Sequence, residues 1–202
     1  MTAEKPAWGP WTTFYDSVGQ APNMTRGDSE DGLVVSFGMD RMVMEIQGDQ
    51  DAPFAGGFGL SGALSVSMPD DFSLLGFLLI VRGFIAKSAR SQATVSCSIA
   101  HSTHSIEWPF HSAVRVTPPK VGGTTPKPSD AGEGPSPEGS FLETDVIVNC
   151  FVGDTRPGGV GQPPFPQLPP LPITVAVQAR RRFVDEAVIV NITEFEALIV
   201  KS

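Results

Sequence analysis

The 202-residue chain is poor in the residues from which most chemical sites are built. It has two cysteines, three histidines and one tyrosine. That leaves little for a disulfide framework, a multi-cysteine metal centre or a family of nucleophile–base pairs. It also lacks a basic surplus. Fourteen lysines and arginines stand against 22 aspartates and glutamates, giving a formal charge of −8 and a pI near 4.8. A general nucleic-acid binder presents a basic face to phosphate, so nucleic acid is not expected as a partner.

Long hydrophobic runs are missing as well. The longest, residues 74–86 (LLGFLLIVRGFIA), is interrupted by Arg82. It falls short of the roughly 20 residues a helix needs to cross a bilayer, so no membrane span is expected. Residues 1–10 (MTAEKPAWGP) show no basic stretch followed by an apolar one. The expectation is a cytoplasmic protein, a mature form after cleavage, or export that needs no such signal, and the compartment stays open.

Short β-type runs punctuated by turn residues fill the chain instead. Residues 33–37 (LVVSF) and 42–46 (MVMEI) flank Gly38-Met39-Asp40-Arg41, the pattern of a hairpin. Residues 60–68 (LSGALSVSM) alternate, with Leu64, Val66 and Met68 on one parity and Ser65 and Ser67 on the other, as in a strand with one wet face. Residues 73–87 are apolar on both parities. Their strand formers and the helix-weakening Gly76 and Gly83 predict a long strand, bulged at a glycine. Further strands are predicted over 93–100, 105–108, 113–117, 141–152, 173–183, 187–192 and 195–200.

Many short strands, Gly/Pro turns and no amphipathic helix predict an all-β chain, an antiparallel β-sandwich of jelly-roll type. Cys97 and Cys150 both fall in apolar β segments. Buried free thiols are the first reading, and one disulfide pinning two strands in an oxidising compartment is the second.

The 21 glycines and 19 prolines are unevenly placed. They crowd into 118–139 and 153–172, where there is little to bury, so two long loop insertions are expected. The second ends in a stiff, proline-rich half carrying Phe165, Leu168 and Leu171. Residues 1–28 read as an aromatic N-terminal arm and residues 29–202 as one sandwich domain.

Within residues 29–83, Ser29-Glu30-Asp31-Gly32 leads into LVVSF, an alternating strand closes at Pro69, Phe72 follows, and a strand ends in Arg82-Gly83. This pattern resembles a family of small secreted bacterial and fungal β-sandwich proteins, known only as a domain of unknown function. The segment around 173–183 resembles the family's last strands, so the likeness covers about half the chain. It implies a sandwich fold and no particular activity. The chain departs from the family in carrying serines where cysteine is usual before the proline and in showing no secretion signal.

His101, His104 and His111 cluster within one short stretch, which makes them the candidate ligands for zinc or another transition metal. Residues three apart on a strand face opposite ways, so a turn would have to gather them. Asp28 to Gly32, Asp49-Gln50-Asp51 and Asp70-Asp71 are candidate calcium loops, with ordinary turn chemistry as the plainer reading. Glu107, Trp108 and His111 offer a ring face beside polar groups, as a sugar site does. Trp8, Trp11, Phe14, Tyr15, Phe165 and Leu168 are candidate contacts with neighbouring subunits, and the four N-terminal rings equally read as an anchor docking the arm onto the body. Arg180-Arg181-Arg182 is the one basic run, explained by edge protection or pairing with Asp185 and Glu186.

Three functions follow. The first is a non-catalytic structural or assembly protein that self-associates, or binds another protein, through its arm and loops. The second is a carbohydrate-binding module, and the third a metal-dependent hydrolase built on the histidines.

Overall fold

The computed structural model describes residues 5–16, 23–40, 42–47, 51, 53–69, 71–88, 90–99, 141–153 and 170–201. Among these are ten strands and no helix: β1 (Ala7–Asp16), β2 (Met24–Asp28), β3 (Val34–Met39), β4 (Val43–Ile46), β5 (Ala55–Ser67), β6 (Leu74–Ser88), β7 (Gln92–Ile99), β8 (Phe141–Gly153), β9 (Leu171–Arg180) and β10 (Val188–Lys201). They form two antiparallel sheets. One has the order β1-β5-β9-β7, the other β2-β3-β10-β6-β8, with β4 also paired to β10. The predicted β-sandwich is the fold.

Alternation decides which faces meet. Leu60, Leu64 and Val66 of β5, Val175 and Val177 of β9 and Val95 and Ile99 of β7 are buried. Opposite them lie Phe77, Leu79 and Val81 of β6, Val148 and Val152 of β8, and Val190, Phe195 and Ala197 of β10. These two inner faces make one core. Apolar area leaving water stabilises it by about 25 cal/mol per Å².

The expected arm is part of the sheets. β1 pairs with β5 and β2 with β3. Trp8 meets Phe77 edge-on at 6.1 Å between ring centroids. Trp11 lies 5.3 Å from Phe195, which stacks on Phe37 at 4.9 Å. Such pairs add about 0.5–1.5 kcal/mol each beyond area burial. Trp8 is therefore a core side chain and Trp11 a partly buried one packed against the core, their rings bridging the two sheets. The side chains of Phe14 and Tyr15 lie outside those described.

The expected hairpin at 38–41 is also revised. Val34–Met39 and Val43–Ile46 lie end to end along β10, pairing with 194–198 and 188–191 in turn. Both segments have a buried parity facing the same core, and β10 is long enough to serve both. Folding back on each other would have cost them that partner. The runs at 187–192 and 195–200 are likewise one strand, β10, with a bulge between Ile192 and Glu194.

Predicted strands 105–108 and 113–117 and the loop 118–139 lie outside the described residues. Of the expected loop 153–172, Gly153 ends β8 and Leu171 and Pro172 begin β9.

Candidate functional site

β6 explains why one segment is apolar on both parities. Phe77, Leu79, Val81 and Ile85 face the core, while Leu78, Ile80, Arg82 and Phe84 take the other side. On that outer face, register aligns Val34 of β3, Leu198 of β10, Leu78 of β6 and Phe151 of β8 into one row across four strands. Ile80 lies in the next row, between Glu196 and Asn149. Further along, Phe84 is 38% exposed and Ile147, 53% exposed, is its diagonal cross-strand neighbour. The four-stranded sheet packs on the opposite side, so the described strands leave this face open.

The bulge gives the face its charge. Val188, Val190 and Ile192 point into the core, and simple alternation would send Glu194 in after them. The extra residue, Thr193, reverses the parity, so Phe195, Ala197 and Ile199 point in and Glu194 and Glu196 point out. Arg82 Nη1 then reaches Glu196 Oε2 at 2.5 Å and Glu194 Oε2 at 3.3 Å. Hydrogen bonding to Glu196 holds the Arg82 guanidinium above its ordinary pKa. Gly83 lies opposite Ile192, beside the bulge, and a Cβ there would run into the Asn191 carbonyl.

On the outside of the other sheet, Ala55, Gly56 and Gly57 lower the floor of an open groove of about 490 Å³. Gln92, Thr94, Gln178 and Arg180 supply its amide, hydroxyl and guanidinium groups. No aromatic ring is among its lining residues.

At one end of the sandwich, Arg181 is fully buried, the unusual member of the basic run. It donates to the carbonyls of Gln47 (2.9 Å), Pro53 (3.2 Å) and Val184 (2.7 Å) and lies 4.7 Å from the centre of the Phe54 ring. Glu186, also buried, accepts from the backbone N–H groups of Arg182 and Phe183 and from the Ser91 hydroxyl. These groups lock a chain reversal, so this end is structural. Nearby, burial lowers the Lys87 pKa, and its ammonium donates to Ser91 O at 2.7 Å.

His101, His104, Glu107, Trp108 and His111 lie outside the described residues, as do Phe165 and Leu168. No group of three or more potential metal-binding side chains occurs among the described residues. Two carboxylates of the 28–32 loop already have partners. Asp31 Oδ1 accepts from Ser29 Oγ (2.6 Å) and Leu33 N (3.0 Å), and Asp28 pairs with Arg26 at 2.6 Å. Gly32 has φ +71°, and a Cβ there would meet the Pro6 carbonyl.

The outer face of the six-stranded sheet escaped the sequence reading, although the double parity of residues 73–87 was its signal. No protein-family model, no curated protein and no solved structure matches the chain. Fold and surface alone define its class: a two-sheet, all-β sandwich whose larger sheet, among the described residues, has an outer face of apolar side chains around a charged group. No helix among the described residues is long and apolar enough to cross a membrane.

Proposed function

We propose that this is a non-catalytic structural or assembly protein, and that it self-associates through the outer face of its six-stranded sheet. The observation carrying the reading is the row Val34, Leu198, Leu78 and Phe151, continued by the exposed pair Phe84 and Ile147. A sheet face bearing contiguous apolar side chains is stabilised by a partner surface. The occupant proposed is a second copy of the chain. Arg82 stands beside Glu194 and Glu196, so the patch holds both signs of charge and can meet itself about a two-fold axis. The formal charge of −8 on each copy opposes association at every face, so the apolar contact must outweigh it.

Light scattering across a wide concentration range tests it. A dimer or larger species that Ile147→Asp shifts to monomer supports the proposal. A strictly monomeric wild-type chain overturns it.

A second reading, a module binding a carbohydrate or other polar ligand, draws support from the groove of Gln92, Thr94, Gln178 and Arg180. Screening against a glycan array, with Gln178→Ala as control, tests that reading. An absence of binding removes it.

A further inference from the structure

The two sheets meet at two lateral edges, and one of them holds the chain's two cysteines. β7 is the outer strand of the four-stranded sheet and β8 that of the six-stranded sheet. Cys97 of β7 sits opposite Val175 of β9, and Cys150 of β8 opposite Leu79 of β6. Both thiols point into the core and are buried. No strand lies beyond either in its own sheet among the described residues.

Strands β7 and β8 contact one another across this edge, and hydrogen bonding between the two thiols, with the Ile99 N–H beside Cys150, pushes the Cys97 pKa up and the Cys150 pKa down. Two cysteines remote in sequence, on different sheets, thus face one another across this edge, with no ladder hydrogen bonds joining their strands.

We infer that Cys97 and Cys150 form a redox staple, a disulfide that closes the β7–β8 edge and joins the two sheets covalently. The Ile99 N–H breaks the symmetry of the pair. It favours negative charge on Cys150, whereas the Cys97 thiol, donating to Cys150 and buried, holds its proton. These contacts exist only in the closed fold, so once the edge is open either thiol can attack first.

One thiolate attacks one sulfur of a small-molecule disulfide such as oxidised glutathione, forming a mixed disulfide and releasing one glutathione thiolate. The other thiol then loses its proton and attacks the protein sulfur of that mixed disulfide, releasing the second. Across the two steps the protein thiols give up two electrons and two protons, and the glutathione disulfide takes up both. Because both sulfurs are shielded, exchange proceeds during folding or through opening of this edge, and the closed fold protects whichever state it holds.

The test uses the full chain, unfolded and refolded with either oxidised or reduced glutathione. Oxidising refolding should remove both thiols titratable in denaturant and lower the intact mass by two hydrogens. The cross-link spans roughly fifty residues, and Tm should rise on the order of 5–10 °C over the reduced form. Cys97→Ala and Cys150→Ser should fold and show no oxidant-dependent shift. Two free thiols after oxidising refolding overturn the inference. So does a disulfide form that melts at or below the reduced one, since a staple must fit the native edge.

Discussion

The Arg26 guanidinium donates through Nη2 to the main-chain oxygen of Trp8 at 2.7 Å, tying the outer strand of one sheet to the outer strand of the other. Nη1 adds a bond to Gly9 O at 2.7 Å, and Asp28 holds the group from behind through Nε and Nη2. This clamp and the thiol pair close opposite edges of the sandwich. Arg26→Met should cost about 1–2 kcal/mol, discounted for partial exposure. Amide hydrogen exchange should show the loss concentrated in β1, and uniform exchange across both sheets would contradict a local clamp.

The same clamp predicts an acid dependence. Hydrogen bonding to Arg26 lowers the Asp28 pKa from its ordinary 3.8. A depressed carboxylate pKa means that its stabilisation is complete above about pH 4 and is lost as pH falls through the lower, folded value. Tm measured from pH 5 to pH 2 should fall less steeply for Asp28→Asn than for the wild type. Parallel curves would rule out this contribution.

Gly83 is required by the β10 bulge, where the Asn191 carbonyl occupies the space a side chain would need. Gly83→Ala should destabilise by about 2 kcal/mol or more. Gly59→Ala, whose Cβ would sit an ordinary 3.6 Å from Val175 O, is the matched control in another strand. Chemical denaturation of the two variants should separate them clearly.

Arg181→Met should cost about 3–5 kcal/mol, since it strips a donor from three carbonyls in a buried site. Arg180→Met, on the exposed groove next to it, should stay within about 0.5 kcal/mol. Thermal melts of both variants check the contrast, and equal losses would show that burial is not what sets the cost.

At the outer face, Ile147→Asp and Phe84→Ser should lower association while leaving Tm within about 2 °C, because neither side chain is in the core. Sedimentation and thermal melts on the same samples separate the two effects.

Much of the architecture was legible because alternation is a local signal. Leu64, Val66 and Ser65 declare their faces without help from the rest of the chain. What was not legible depended on partners remote in sequence. Residues 33–37 and 42–46 carry the apolar pattern of a hairpin, and only the length of β10 reveals that they lie in line. Trp8 and Trp11 read as an anchor on the body or on a neighbouring subunit, and the rings that decide between the two, Phe77, Phe37 and Phe195, are distant in sequence. The parity change at Thr193 was visible in residues 187–200, yet two short strands and one bulged strand share that pattern until Gly83 is placed opposite.

The central position of β10 has a temporal side. Val188–Lys201 lies between β3 and β6, and Glu196 pairs with Ser36, roughly 160 residues earlier. During synthesis the larger sheet has no middle until that segment emerges. Until then β3 and β6 both present open edges, the surface on which chains most readily pair wrongly. A nascent chain halted before residue 188 lacks the strand that joins β2-β3 to β6-β8, so the larger sheet can be completed only after that segment emerges.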